Sequence, residues 1–342
     1  MGEVSIIDIL KKLNKDRSEE DKFRIASEQP DGFFIREVVP TGSVYLDFRI
    51  HSTLGKGGFV KGSLNLLIGG EGSGKSSLAL KAAANEQKQT GKYVVYWDAE
   101  GTINESYIER MGVDLDRFIY YKGRNLEEML DVLQEFSIAK DVGMIIIDSI
   151  PVFVSTVIEN KSAEDNNMSV EARKFNSRMP IIEGNCSRRN IALVALTYYK
   201  LNPGAMGDPR VLSRGEWQRY MSNLTIELTK KDLIKDDDKN TIGHVIDVRL
   251  KKSKLQAYDS KESFQINFYY QYGFNNFDEY ASVFIENGII KQGGAWFTFA
   301  NEDGVEIKLN GKSKVIDFLK ENENTFKFLQ NFLNSNVDEN VE

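Results

Sequence analysis

The chain has 342 residues, 41% hydrophobic and 28% charged, a composition suited to one large domain with room for a smaller one. Its formal net charge of −7 excludes a uniformly basic nucleic-acid coat, so any such contact has to come from a local basic stripe. Cys186 is the single cysteine, which excludes an internal disulfide, and with only His51 and His244 beside it a Cys/His zinc cluster is excluded too.

Ile6, Ile7, Ile9, Leu10 and Leu13 recur at helical spacing and precede the charged run KDRSEEDK, which predicts a short helical arm ahead of the core. The N-terminus lacks the long apolar core and cleavage site of a signal peptide, and no run of about eighteen apolar residues follows. The chain therefore reads as soluble and intracellular, with no membrane partner. PDGFFIREVVPTGSVYLD sets turn residues around a short strand, Phe33 to Val39.

From Ser63 onward strand-like runs alternate with helical ones, the pattern of an α/β fold with a mostly parallel sheet covered by helices. The strand candidates SLNLLIG, YVVYWDAE, MIIIDSI and IALVALTYY each end near polar residues, which should converge at the carboxyl edge of the sheet. After Asn223 the runs LTIELTKKDL, HVIDVRLKKSK and SFQINFYYQYG predict antiparallel strands added at one side, with KKDLIKDDDKNTIG as a solvated hairpin loop. Asn275 to Leu333 mixes helices with an aromatic hairpin candidate, AWFTF, and is the expected second domain; NSNVDENVE is the expected frayed acidic end.

Gly69, Gly74, Lys75 and Ser76 fit G-x-x-x-x-G-K-[ST], with a strand before and a helix after. Glycines let backbone N–H groups face phosphate oxygens, the helix N-terminus adds positive dipole, Lys75 reaches the β/γ-phosphates and Ser76 offers a hydroxyl to Mg²⁺. A glycine-rich turn of purely structural use would not need the Lys-Ser pair. In MIIIDSI the last carboxylate, Asp148, emerges at the ligand end of a buried strand and can hold the magnesium through water. A base for hydrolysis has two candidates at the end of YVVYWDAEGT, Glu100 and Asp98.

The order of these motifs resembles the RecA-like recombinases, phage-encoded members included, from about Pro40 to Leu333. PTGSVYLD is similar to the start of that family's core, GGEGSGKSS to its phosphate loop, YWDAEGTINESYIERMGVD to its catalytic strand and IIIDS to its magnesium strand; KKSK and GAWFTF resemble later landmarks. The resemblance implies a RecA-type P-loop ATPase core at 40–274, an N-terminal helix and assembly arm at 1–39, a small C-terminal α+β domain at 275–333 and an acidic tail at 334–342. It implies ATP held by Gly69, Gly70, Glu71, Gly72, Ser73, Gly74, Lys75, Ser76 and Ser77, with Mg²⁺ at Ser76 and Asp148.

It also makes Glu100 the catalytic glutamate, Tyr107 the ring stacked on adenine, and Asn104 the occupant of a position near the base that is commonly aspartate. Lys252 and Lys254 match the pair that reaches a neighbouring subunit's γ-phosphate. Roughly Glu159 to Met168 and Lys200 to Arg214 resemble the DNA-binding loops, with Arg173, Lys200, Arg210 and Arg214 as phosphate contacts and Met168 and Met206 as wedges between bases. Where bacterial members carry Asn-Gln ahead of the second loop, the glutamine sensing the γ-phosphate, this chain has Thr197 and Tyr198, a phenol that can still donate a hydrogen bond. The first loop, ENKSAEDNNM, lacks the usual glycines and carries Glu159, Glu164 and Asp165.

The function so implied is a DNA-dependent ATPase that forms filaments on single-stranded DNA and pairs it with homologous double-stranded DNA. Its location would be the cytoplasm of a bacterial cell or of a phage's host, with single-strand-binding and loader proteins as partners. Two other readings share the phosphate loop. A ring-forming motor of helicase type would bring a further domain for which little length remains; a weakly hydrolysing accessory protein would not need Glu100, while Tyr198 and the acidic first loop keep that reading open.

Overall fold

The computed structural model describes residues 5–17, 22–28, 36–156, 168–202, 204 and 209–339. Residues 1–37 and 38–342 are separate compact units. In the first, helix α1 (Ile6–Asn14) is capped by Ser5, whose hydroxyl accepts from the Ile7 amide at 3.2 Å. Asn14 closes a hook, donating to the Phe23 carbonyl at 2.7 Å and accepting from the Phe23 amide at 2.8 Å, with Arg17 over the Phe23 ring. The predicted apolar stripe exists and lies uncovered: Ile6, Ile7, Ile9 and Leu13 are exposed, and the helix buries no residue.

The second unit opens with β1 (Val38–Val39), helix α2 (Val44–Ile50) and β2 (Phe59–Val60), the two strands pairing antiparallel. Only the end of the strand expected from Phe33 is seen here, because residues 33–35 lie outside the described ones. Alternation then sets in: β3 (Leu64–Gly69), α3 (Lys75–Thr90), β4 (Tyr93–Asp98), α4 (Glu105–Arg110), β5 (Phe118–Lys122), α5 (Leu126–Phe136), β6 (Val142–Asp148), α6 (Met168–Arg189) and β7 (Ala192–Thr197). A hairpin of β8 (Tyr199–Leu201) and β9 (Arg210–Leu212) and a short helix α7 (Trp217–Met221) lead to β10 (Leu224–Lys235), β11 (Thr241–Ser253), β12 (Phe264–Tyr269) and β13 (Gly273–Phe274).

Nine of these strands form one sheet in the order β13-β12-β11-β10-β3-β7-β6-β4-β5. Every residue of β3, β6 and β7 is buried, because helices cover both faces; that is why these runs read as continuous apolar stretches without alternation. Leu67, Ile146 and Val194 face one core layer with α3, while Leu66, Ile147 and Ala195 face the other with α5 and α6. Strand β5, which the sequence pattern does not predict, is an edge strand, parallel to β4, with its last three residues exposed.

The added strands differ from expectation in two respects. The first half of β10 pairs parallel to β3, Leu224 with Asn65 through Leu228 with Gly69, while the β10–β11, β11–β12 and β12–β13 pairings are antiparallel. The expected hairpin loop is mostly strand. Cross-strand pairs carry β10 to Lys235, leaving a tight turn in which Asn240 donates its amide to Asp236 Oδ1 at 2.8 Å.

Helix α8 (Asn276–Glu286) lies against α2: Ser43 Oγ donates to Glu279 Oε1 at 2.9 Å and the Tyr45 amide to Glu279 Oε2 at 3.2 Å. The aromatic hairpin is a three-stranded sheet, β14 (Lys291–Gly293), β15 (Trp296–Ala300) and β16 (Glu306–Asn310), followed by α9 (Lys312–Glu321) and α10 (Glu323–Glu339). Phe297, Phe299, Val315, Leu319, Leu329 and Leu333 join the same core layer as α3, and α10 continues helical through Glu339.

Candidate nucleotide site and nucleic-acid surfaces

Gly69 ends β3 and Lys75 begins α3, so residues 70–74 form a tight loop at the carboxyl edge of the sheet. A Cβ on Gly69 would lie 2.6 Å from the Leu228 carbonyl oxygen and 2.4 Å from Ser73 Oγ, and Gly74 has φ +91° with Ile246 2.8 Å from where its Cβ would stand. Over Gly70 nothing lies within 4 Å, leaving a face open to a ligand. Lys75 Nζ donates to the Gly69 and Gly70 carbonyls at 2.9 Å each, so its charge sits over the loop. Burial pulls its pKa down, against the pull of the Asp148, Glu100 and Glu71 carboxylates. Glu71 and Gly72 are exposed, while Ser73 is buried with its hydroxyl unpaired among the described residues.

Ser76 Oγ donates to Asp148 Oδ2 at 2.6 Å. Burial raises the Asp148 carboxyl to about 6, with hydrogen bonds from Ser76 and Tyr96 opposing and Glu100 and Asp98 adding to the rise. A hydroxyl and a carboxylate at hydrogen-bond distance are hard oxygen donors, and among the described residues no cluster of three His, Cys, Asp or Glu could hold a metal alone. That donor set fits Mg²⁺, which takes one or two protein oxygens and completes its shell with water and substrate phosphates.

The two carboxylates at the end of β4 are unlike. Asp98 is fully buried and accepts from the Gly101 amide at 2.5 Å, the Ile103 amide at 3.3 Å and the Tyr120 hydroxyl at 2.9 Å, so it folds the turn. Glu100 is half-buried, accepts from Ser149 Oγ at 2.5 Å, and its amide is tied to the Asp148 carbonyl at 3.3 Å. Of the pair, Glu100 is the one with carboxylate capacity to spare toward the loop.

Asn104 caps α4, its Oδ1 accepting from the Tyr107 amide at 2.9 Å, and the Tyr107 hydroxyl meets Ser77 Oγ at the start of α3. Tyr107 is thus brought beside the phosphate loop, while the Asn104 carbonyl oxygen is engaged by its own helix. Tyr198 is half-buried just past β7, level with the loop since Thr197 pairs Ile68. Lys252 and Lys254 are not brought to the loop. Lys252 pairs Thr225, which pairs Leu66, so it lies two strands across from Gly69 and three residues back, about 10 Å along the strand direction. Its Nζ donates to the Arg219 and Tyr220 carbonyls at 2.8 and 3.1 Å, and the Lys254 amide is held by the Asn223 carbonyl at the opposite edge.

The first candidate DNA segment, 159–168, lies almost wholly outside the described residues, as do Met206 and the side chain of Met168. Its footing is visible: Ser155 Oγ and the Thr156 amide donate to Glu127 at 2.6 and 3.2 Å, and Lys174 pairs with the same carboxylate. Burial opposes, yet Lys174 and these donors hold the Glu127 carboxyl down at about 2. Arg173 and Lys200 are exposed. Arg210 is exposed on β9, stacked over Tyr199 and paired with Glu227 at 2.9 Å. Arg214 is occupied otherwise than expected. At φ +66° its guanidinium turns inward, donating to the Pro151 carbonyl at 3.0 Å and the Phe153 carbonyl at 2.6 Å, and pairing with Glu171 on α6.

Residues 6–275 match the RecA N-terminal domain family. The chain belongs to the RecA family. It is 27% identical over 295 residues to Protein RecA of Petrotoga mobilis, covering 86% of this chain and 78% of that protein. It is 29% identical over 264 residues to a mitochondrial DNA repair protein recA homolog of Dictyostelium discoideum, covering 77% and 57%. A crystal structure of the RadB recombinase superposes with a TM-score of 0.50 at 18% identity, over 69% of this chain and 98% of that one, a likeness of fold. RecA-family proteins are in general ATPases that use ATP with Mg²⁺ and act in recombination and repair.

Within this RecA-family frame, the sequence pattern does not single out Tyr96, Ser149 and Glu171. Tyr96 carries a polar group inside an apolar run, on the same face as Asp98, and Ser149 directly follows Asp148; both were legible as polar atoms needing partners. Glu171 gave no such signal, since only the fold shows it to be buried.

Proposed function

We propose that the chain is an ATP-dependent DNA recombinase that assembles as a helical filament on single-stranded DNA, pairs that strand with homologous duplex and exchanges strands while hydrolysing ATP to ADP and phosphate. The observation that carries this reading is the distance of Lys252 and Lys254 from their own phosphate loop. They lie at the amino edge of the sheet, away from that loop, which supports a reading in which they serve another copy.

In this reading Gly69–Ser77 and Lys75 cradle the phosphates, and Ser76 and Asp148 hold Mg²⁺. The cation, when bound, offsets charge on the β- and γ-phosphate oxygens. Glu100, steadied by Ser149, takes the proton of the attacking water; the engagement of Asp98 by backbone amides supports that choice. Tyr107 and Asn104 receive the base, and Tyr198 meets the γ-phosphate. Lys252 and Lys254 of a neighbour supply the charge that completes the transition-state environment, which makes hydrolysis a property of the assembled filament.

DNA contact falls to Arg173, Lys200 and Arg210 with Met168 and Met206, acting mainly on phosphates and so with little sequence preference. Residues 1–39 serve as the assembly arm, supported by the uncovered stripe of α1. Residues 40–274 are the ATPase core, 275–333 the small C-terminal domain and 334–342 the acidic tail. Among the described residues no helix is long and apolar enough to cross a membrane, and the proposed location is the cytoplasm. Electron microscopy with ATP and single-stranded DNA tests the proposal: helical filaments are expected, and rings or dispersed particles at saturating protein would overturn it.

A further inference from the structure

Tyr96 is fully buried in β4, where its ring packs 5.6 Å from that of Phe118 and 6.5 Å from that of Tyr120. Its hydroxyl donates to Asp148 Oδ2 at 2.5 Å, the same oxygen that accepts from Ser76 Oγ. The register explains the reach. Tyr96 pairs Ile146 and Asp98 pairs Asp148, so the phenol crosses one strand spacing and two residues to arrive at the carboxylate. Two protein donors thus converge on Oδ2, and neither touches Oδ1.

An aspartate χ2 is a broad, two-fold torsion, so a carboxylate tied at one point by a single flexible hydroxyl is free to turn its oxygens. Ser76 is such a hydroxyl, and it is also the group offered to the cation. A phenol fixed by core packing is a different kind of partner, because the ring cannot follow a rotating carboxylate.

We infer that Tyr96 is a positioning residue for the divalent-cation site: its hydroxyl, with that of Ser76, pins Asp148 Oδ2 and leaves Oδ1 as the acceptor for the hydrated cation. The inference rests on the reading of Ser76 and Asp148 as the magnesium-holding pair. It assigns Tyr96 no contact with nucleotide and no part in proton transfer.

The test is Mg²⁺-dependent binding of a fluorescent ATP analogue to the full chain, for the parent, Tyr96→Phe, Asp148→Asn and the double variant, with a parallel titration in EDTA. Tyr96→Phe keeps the ring and removes one oxygen. It should raise the Mg²⁺ concentration for half-maximal binding about tenfold, the usual effect of losing a partner that orients a metal ligand. Affinity in EDTA should stay within about twofold, which a general loosening of the core would not allow. In the Asp148→Asn background the same change should add less than about twofold, because the group it positions is already altered.

A Tyr96→Phe midpoint equal to the parent's, with Asp148→Asn clearly shifted, overturns this inference and leaves the metal-site reading standing. An equal tenfold effect in both backgrounds also overturns it, since Tyr96 would then act other than through Asp148. An unshifted Asp148→Asn protein removes the metal-site reading and the inference together.

Discussion

Replacing Arg214 with alanine should be a lesion of stability rather than of DNA contact. The Glu171 side chain is 2% exposed and that of Arg214 16%, so the variant leaves a carboxylate in the interior without its cation and strips the Pro151 and Phe153 carbonyls of a donor. Removing one partner of a buried ion pair costs about 3–5 kcal/mol. At about 2 °C per kcal/mol for a chain of this size, the thermal midpoint should fall by about 6–10 °C. Circular dichroism measures that fall, and a salt titration of single-stranded DNA binding measures the other half of the argument. A guanidinium turned inward releases no counterions, so the slope of log affinity against log salt should match the parent's. The exposed Arg210, replaced alone, should make that slope shallower by up to about 0.7. Changing Glu171 and Arg214 together to methionine should recover most of the lost stability, since no charge is then stranded. An Arg214→Ala protein as stable as the parent but with a shallower slope would refute the assignment and put Arg214 on the DNA.

Lys75→Ala should lose tight nucleotide binding in a fluorescence titration, because the ammonium bonded to the Gly69 and Gly70 carbonyls is removed, whereas Glu100→Gln should bind normally and hydrolyse about 10²–10⁴-fold more slowly. A Lys252→Ala/Lys254→Ala protein should bind ATP yet lose DNA-stimulated hydrolysis, and mixing it with Glu100→Gln should restore part of the activity in a concentration-dependent way; co-assembly without any recovery would count against a shared site. Burial raises the Glu279 carboxyl from 4.5 to about 8, so its contribution to stability is fully present below about pH 4.5 and is lost as pH rises through 8. Glu279→Gln, unable to ionise, should therefore lose less stability between pH 6 and 9 than the parent does, as read by urea denaturation at each pH.

The parallel core and the phosphate loop were legible because each rests on local rules. Continuous apolar runs mark strands covered on both faces, and the Gly-Lys-Ser spacing marks a phosphate turn wherever it joins strand to helix. Asp98 and Glu100 could not be separated by residue type, since their difference lies in which amides and hydroxyls each one meets after folding. Arg214 shows the same limit more sharply. Its charge and loop position read as a phosphate contact, and only the backbone at φ +66° sends it inward to Glu171, which sits on a helix forty-three residues earlier in the chain. The strand content of KKDLIK was hidden for a related reason: lysines and aspartate argue for solvent, and cross-strand pairing to 241–246 outweighs that local preference.

The ties that hold Ser155 and Thr156 to Glu127, and Arg214 to Pro151, Phe153 and Glu171, divide the molecule into parts with different freedom to vary. Both candidate DNA segments start or finish on footings bolted to α5, α6 and the turn after β6, so a change of length or composition between those footings alters what is offered to a ligand without shifting the register of the sheet. Those stretches can vary one residue at a time. The footings allow no such gradual change, because Glu171 and Arg214 are each tolerable only while the other remains, and their replacement has to come as a pair.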